Sequence, residues 1–296
     1  MTKCWQPLTF ATIGFLIGLI YKEFESQFQV FAAQPVSDPS SYISSTKTDL
    51  VDVVSDVMQL GFPSYDTVRV RKSYVLGYDR RNKIPNWVCE NLTPDLIRHN
   101  PNVTRRKTEY FEDESIHPYF RATLADYRGS GYDRGHLAPS GDHKRSQEMM
   151  NDTFVLSNMA PQVGVGFNQD AWNDLEIHVR RLVPKYKSVF VCSGPLFLPR
   201  RMNATRTKEG RKFVTYEVIG ENNVAVPTHF YKILACETDG NLFDMEAYIM
   251  PNQYIAKSKP LTDFMVSQEA IERAAGLLFF NQLKKSDFRT INGKTS

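Results

Sequence analysis

A short run of charged and acid–base side chains, Asp133-Arg134-Gly135-His136, stands in a glycine-rich stretch of the sequence. Histidine has the intrinsic pKa best suited to accepting a proton near neutral pH. In a strand, side chains two residues apart share a face, so Arg134 would lie beside His136, keep its imidazole neutral and bind an anion. A surface turn with an ion pair would use the same residues, so the motif alone leaves both interpretations open.

Two polar side chains lie further along, in the strongest helical pattern of the chain, residues 167–183. Asn168 and Glu176 are eight residues apart, about 80° around a helix axis and about 12 Å along it, so they would share one side. An amide oxygen is a hard, neutral ligand that suits Mg²⁺, and Glu176 would act through a water molecule. Each residue also has a plainer explanation, as a helix N-cap and as a solvent-facing charge.

The elements around these residues predict a mixed α+β fold, with a central antiparallel sheet flanked by helices. Predicted helices cover residues 47–61, 93–100, 167–183 and 267–283. Predicted strands cover a hairpin of residues 74–78 and 85–92, a strand from residue 152 that runs into a loop, and β-rich segments at 187–198, 213–220 and 223–236.

Charge is nearly balanced overall but uneven along the chain. The formal net charge of +3 indicates no general excess for nucleic-acid binding. Residues 66–108, however, hold ten Lys/Arg against four Asp/Glu. Such a cluster indicates either a solvated charged face or a field that attracts phosphates.

The four cysteines, Cys4, Cys89, Cys192 and Cys236, lack the spacing of a zinc site. Cys192 and Cys236 lie in segments that read as buried strands, where each would be a free thiol or the two would pair.

The N-terminal residues differ from the rest. Residues 4–21 carry no charge and approach the length of a bilayer span, and the residues that follow are polar and linker-like. A membrane anchor, a cleaved secretory signal and the apolar part of a mitochondrial leader all fit this pattern. We therefore predict a leader or anchor over residues 1–24, a linker over 25–55 and a catalytic domain over 56–290. Four glycosylation sequons, at Asn91, Asn102, Asn151 and Asn203, would matter only in the secretory pathway.

The four-residue motif belongs to a series of longer motifs along the chain. They are "SYVLGYDRR", "NWVCENLTP", "ADYRGSGYDRGHLAPSGDH", "FVLSNMAPQ", "FNQDAWNDLE" and "VCSGPLFLP". In this order they resemble the DNA/RNA non-specific endonuclease family, whose members carry a ββα-metal finger, and most closely its mitochondrial, endonuclease G-like branch. The resemblance covers nearly all of residues 56–283.

The resemblance implies a role for each candidate residue. His136 would be the general base, Asn168 the direct protein ligand of Mg²⁺, with Mn²⁺ as a substitute, and Glu176 a support for the metal's water shell. Arg134 and one of Arg105 or Arg106 would hold phosphate oxygens and stabilise developing charge. Asp133 would contribute to substrate binding, and Asn158 would position groups near the scissile phosphate. Asp142 departs from the family pattern and would weaken the local positive field.

The implied activity is Mg²⁺-dependent, sequence-nonspecific cleavage of DNA and RNA to 5′-phosphate and 3′-hydroxyl ends. The resemblance also implies a homodimer in mitochondria, in the intermembrane space or at the inner membrane, with a role in mitochondrial or apoptotic DNA degradation. Membrane anchoring through residues 4–21 is predicted from the absence of charge there, not from the resemblance. Three alternatives stay open: a secreted nuclease of the same superfamily, an exonuclease-type paralogue, and a catalytically silent, membrane-tethered nucleic-acid-binding protein.

Overall fold

A central eight-stranded sheet organises the chain, and the computed structural model describes residues 47–201 and 211–295 of it. The sheet order is β1 (Val68–Val70), β2 (Tyr74–Asp79), β3 (Ile84–Leu92), β6 (Ser188–Leu196), β11 (His229–Glu237), β12 (Phe243–Pro251), β13 (Phe288–Ile291) and β14 (Lys294–Thr295). All neighbours are antiparallel except β12 and β13. The α+β class is therefore confirmed.

Apolar side chains alternate between the two faces of this sheet, and both faces are covered. One face packs against the elements that carry the candidate site, with Leu76, Val88 and Leu234 among the buried contacts. The other face, which includes Val75 and Trp87, packs against α1 (Lys47–Val57) and α5 (Gln268–Ala275). Strands buried on both faces read as nearly continuous apolar runs, as β6 and β11 do.

The remaining elements are short. They are α2 (Leu124–Tyr127), β4 (Asp133–His136), α3 (Gln147–Asp152), β5 (Met159–Gln162), α4 (Trp172–Leu182), and the small pairs β7 (Arg200–Arg201) with β8 (Lys212–Phe213) and β9 (Val218–Ile219) with β10 (Val224–Ala225). Helix α1 begins at Lys47, inside the segment predicted as linker.

Several predicted elements are wrong in type or length. Residues 94–97 form a single turn, not a helix, because Ile97 bonds to Thr93 and the pattern stops there. The closing helix ends at Ala275, since Gly276 adopts a left-handed φ of 69°. Leu156–Asn158 is a 3₁₀ turn, and the strand follows it as β5.

The disulfide is not the Cys192–Cys236 pair that the sequence left open. Cys89 and Cys192 face each other across β3 and β6 and form a disulfide. Cys236 is a buried free thiol in β11.

The predicted leader and the proposed anchor at residues 4–21 lie outside the described residues. Within residues 47–201 and 211–295, no helix is both long and apolar enough to cross a bilayer.

Candidate active site

A β-β-α unit carries most of the candidate residues. Strands β4 and β5 pair antiparallel, with His136 opposite Met159, and the chain then turns into α4. Gly135 is buried opposite Ala160, and a Cβ there would come within 2.1 Å of the Gln162 side chain. Glycine is therefore required between the arginine and the histidine of this motif.

An open cleft of about 1110 Å³ lies on this unit and contains His136, Asn168 and Glu176 among its walls. Its basic side chains are Arg105, Arg128, Arg134, Lys144 and Arg180. The acidic ones are Asp133 and Glu176. The cleft therefore offers a cationic surface to an anionic ligand.

His136 lines the cleft and packs against two aromatic rings that also contact each other. Its ring centroid lies 4.8 Å from that of Phe154 and 5.9 Å from that of Tyr110. Its Nε2 atom is buried and has no hydrogen-bond partner among the described residues. Burial lowers the His136 pKa to about 3, with Arg105 and then His143 adding to the effect. The imidazole is therefore neutral at physiological pH, but Arg105 rather than Arg134 is the cation that contributes.

Two of the four cleft arginines, Arg134 and Arg105, stack on this aromatic pair. The Arg134 guanidinium lies 4.2 Å from the Tyr110 ring centroid, and that of Arg105 lies 5.5 Å from the Phe154 centroid. Arg134 and His136 thus share a face of β4, as the strand alternation predicts. Arg106 follows Arg105 in the 3₁₀ turn but is exposed outside the cleft. Between the two candidates for this position, the geometry favours Arg105.

Asn168 lies on a wide π-helical turn, Gly164–Ala171, rather than at an α-helix N-cap. Its Nδ2 donates to an Asp133 carboxylate oxygen at 2.8 Å, and Gln169 Nε2 donates to the same oxygen at 2.9 Å. A carboxylate only accepts, so this contact fixes which amide atom of Asn168 is the oxygen and leaves that oxygen for a cation. Asp133 therefore acts on Asn168 and is poorly suited to hold a phosphate.

Glu176 forms one end of a buried ionic chain. Its carboxylate lies 4.0 Å from Arg180, which in turn donates to Asp142 at 2.8 Å. Asp142 is itself buried, so its charge is paired with Arg180 rather than weakening the field of the cleft. Burial raises the Glu176 pKa to about 7, with Lys232 opposing and Asp142 adding to the shift.

Glu176→Gln is expected to stabilise the metal-free protein at pH 8 and to change little near pH 4. The folded-state pKa of about 7 exceeds the ordinary value of 4.5, so folding loses stability as pH rises through this window. The carboxylate then costs up to roughly 3 kcal/mol above pH 7. Thermal melts in EDTA at both pH values measure this, with Asp174→Asn, an exposed carboxyl on α4, as control. Equal melting temperatures for Glu176→Gln and the original protein at pH 8 would contradict this prediction.

Asn158 is fully buried, away from the cleft surface. Its Oδ1 accepts from the Ala138 N–H at 3.0 Å, and its Nδ2 donates to the carbonyls of Ala138 and Thr153. It thus holds the backbone that follows His136. The prediction that Asn158 positions groups near the scissile phosphate stays a prediction, and any such role would act through this backbone.

Asn158→Ala is expected to lower the free energy of unfolding by about 2–4 kcal/mol, because three buried backbone groups lose their partner. The folded fraction should still bind duplex DNA. Urea denaturation followed by circular dichroism measures the loss. A stability equal to that of the original protein, with cleavage abolished, would instead support direct contact with substrate.

The ten basic residues of positions 66–108 are not gathered at the cleft. All ten lie in the described part of the chain, and Arg105 alone among them lines it. Arg71, for example, is bound to Asp113 and Ser157. The positive charge of the cleft comes instead from residues scattered between 105 and 180.

Several residues in and around the cleft were not predicted from the sequence. Tyr110 and the buried Phe154 pack against the histidine, and nothing in their sequence context distinguishes them from core aromatics. Arg180 was detectable, because it lies four residues after Glu176 on one helix face. A buried Ser73–His143–Glu90 hydrogen-bonded set also lies beneath the 141–143 loop.

Comparisons with known proteins agree with this geometry. The sequence model of the DNA/RNA non-specific endonuclease family matches residues 53–286. Mitochondrial endonuclease G of Homo sapiens is 48% identical over 224 residues, 76% of this chain and 73% of that protein. The Caenorhabditis elegans endonuclease G is 42% identical over 239 residues, covering 81% and 76% of the two chains. A chain in the crystal structure of the EndoG/EndoGI complex is 51% identical, with a TM-score of 0.79, over 82% of this chain and 97% of that one.

Proposed function

Because this chain belongs to the DNA/RNA non-specific endonuclease family, we propose that it is an endonuclease G-like hydrolase that cleaves DNA and RNA phosphodiester bonds without sequence specificity. The proposal includes Mg²⁺ as the cofactor, with Mn²⁺ as a substitute, and products with 5′-phosphate and 3′-hydroxyl ends. The observation that carries it is one cleft that holds a neutral histidine, the ring-stacked Arg105 and Arg134, and an oriented amide oxygen.

His136 is the general base. Its burial keeps the imidazole neutral, so a ring nitrogen can accept the proton of an attacking water near neutral pH. Arg134 and Arg105 bind the non-bridging phosphate oxygens, and their aromatic supports hold the guanidinium groups in place before substrate arrives. These arginines contact the phosphate groups of the nucleic acid and not its bases. The enzyme therefore has weak sequence preference, and its binding to nucleic acid depends strongly on salt.

The side chains present fit a hard divalent cation. The Asn168 oxygen is directed by Asp133, and Glu176 supplies a carboxylate in the same cleft to accept hydrogen bonds from waters. When bound, Mg²⁺ neutralises negative charge that develops on the phosphate and the leaving oxygen.

Plasmid cleavage by the purified full chain tests this function. We expect nicking and then linearisation of supercoiled DNA in Mg²⁺, degradation of single-stranded RNA under the same conditions, and no reaction in EDTA. Cleavage that persists in EDTA would refute the metal requirement. A folded protein that binds DNA but never cleaves it would favour the silent binding protein.

The cellular setting is part of the proposal. Relatives in human, Caenorhabditis elegans and Schizosaccharomyces pombe are named as mitochondrial nucleases, and we propose a mitochondrial location, in the intermembrane space or at the inner membrane. The Asn91 sequon does not support the secretory alternative, because Asn91 is buried and donates to Asp56 at 2.9 Å. Asn102 and Asn151 are exposed, so that alternative stays open. Fractionation of tagged protein distinguishes the two compartments.

A homodimer, anchoring through residues 4–21 and a role in apoptotic or mitochondrial DNA degradation complete the proposal. Endonuclease G is bound by an inhibitor in the EndoG/EndoGI complex, and a protein inhibitor of this chain is proposed by analogy. An exonuclease-type activity would appear as end-dependent digestion of linear DNA with sparing of closed circles.

A further inference from the structure

The turn that carries Asn168 has an unusual backbone. Asn168 N–H donates to the Val163 carbonyl five residues earlier, at 2.9 Å, instead of to the residue four back. Val165 has a non-helical ψ of 132°, and Gly166 has a φ of 86°. Such π-type turns are rare and persist where surrounding structure holds them.

Asn252, directly after β12, is bonded to the start of this turn. Its Oδ1 accepts from the Val163 N–H at 2.9 Å. Its Nδ2 donates to the carbonyls of Pro161 and Pro227, at 3.1 and 2.9 Å. The Val163 peptide is therefore held by Asn252 on its N–H side, while the Val163 carbonyl accepts from Asn168.

The residues after Asn252 continue this contact along the turn. Ile255 N–H donates to the Gly166 carbonyl at 3.2 Å. The Tyr254 ring covers Gly166 so closely that a Cβ there would lie 2.4 Å from it. Lys257 pairs with Asp170 at 3.2 Å. The segment 252–257 thus contacts the turn at three points along it, Val163, Gly166 and Asp170.

We propose that Asn252 is a positioning residue for Asn168, fixing the turn in the register that directs the Asn168 amide oxygen toward the cation. This inference rests on the proposed role of Asn168 as metal ligand. Without Asn252, the Val163 N–H and the Pro161 and Pro227 carbonyls lose their partner. The turn then relaxes toward α-helical bonding, which rotates Asn168 away from Asp133.

The test is to titrate the full chain with Mn²⁺ and to measure the free ion by electron paramagnetic resonance. Asn252→Ala should weaken Mn²⁺ binding roughly 10–100-fold, the usual effect of losing a residue that orients a ligand. Binding of duplex DNA in EDTA should stay unchanged, because the cleft arginines do not depend on this turn.

Asn292→Ala is the matched control. Asn292 likewise bridges two backbone segments, accepting from Ala247 N–H and donating to the Val266 carbonyl, but none of these residues lines the cleft. It should lower the melting temperature comparably and leave Mn²⁺ affinity unchanged. If Asn252→Ala does not fold, Val163→Pro removes the same bond from the donor side, since the Val163 φ of −59° suits proline.

The outcomes separate this inference from the proposed function. If Asn168→Ala weakens Mn²⁺ binding and the Asn252 or Val163 variant does not, the positioning role is refuted while the metal site stands. If Asn168→Ala itself leaves Mn²⁺ binding intact, the proposed metal site fails and the role of Asn252 fails with it. Parallel losses in both support the inference.

Discussion

His136→Ala should slow cleavage of duplex DNA by about 10²–10⁴-fold, the usual contribution of a positioned acid–base group. Among the described residues that line the cleft, His136 is the one histidine, and it lies beside Arg105 and Arg134, the proposed phosphate ligands. Alanine removes the proton acceptor but leaves Arg105, Arg134 and Asn168 in place. Affinity for DNA should therefore change by less than about threefold, and the loss should lie in the rate.

Single-turnover cleavage of a labelled duplex, with and without added imidazole, is the decisive measurement. If the side chain acts as a base, free imidazole that enters the space vacated beside Tyr110 and Phe154 should restore part of the rate. His178→Ala serves as control, because His178 bonds to Glu246 at 2.7 Å outside the cleft. A normal rate in the His136 variant, or equal losses in both variants, would exclude the proposed base.

The pH dependence follows from the same environment. With a pKa of about 3, His136 would gain a proton only far below neutrality, so it can accept a proton throughout pH 5–9. A fall in rate between pH 8 and 5 must then come from another group, and Glu176, with a pKa of about 7, is the nearest candidate in the cleft. The fall should be absent from the residual activity of Glu176→Gln.

Local sequence rules were sufficient for part of the site. The two-residue alternation of a strand correctly placed Arg134 and His136 together, since β4 obeys that period. The apolar stripe of α4 correctly placed its buried face, because Trp172 and Leu175 pack on the central sheet side.

Other features depend on contacts that no local pattern encodes. A continuous helix over 167–183 was the natural prediction, because Phe167 extends the apolar stripe upstream. The π turn that forms instead is allowed by the positive φ of Gly166. It is supported by Asn252, whose bonds to Val163 and Pro161 span 89 and 91 residues. The bond between Asp133 and Asn168 likewise spans 35 residues.

Asn158 was predicted to position groups near the scissile phosphate. A side chain can do so by touching those groups or by holding the backbone around them, and the Asn158 amide bonds to the backbone of Ala138 and Thr153. Sequence alone cannot distinguish the two, because burial of an asparagine depends on the tertiary packing around it.

Asn168→Ala should reduce Mg²⁺-dependent cleavage at least roughly 100-fold, comparable to losing a group that stabilises transition-state charge. The amide oxygen is the ligand atom that the Asp133 contact leaves directed for a cation. Its loss should also abolish measurable Mn²⁺ binding in the micromolar to millimolar range. Affinity for DNA in EDTA should be preserved, because phosphate contacts come from the arginines.

Gln169→Ala provides a close control for this effect. Gln169 donates to the same Asp133 oxygen at 2.9 Å, one residue further along the same turn, but its side chain is more exposed. If activity required only an amide that donates to Asp133, Gln169→Ala and Asn168→Ala would lose similar activity. We expect less than about threefold loss for Gln169→Ala, because it removes a neighbour of the ligand and not the ligand. Raising Mg²⁺ should then rescue Gln169→Ala fully, whereas Asn168→Ala should remain slow at any Mg²⁺ concentration.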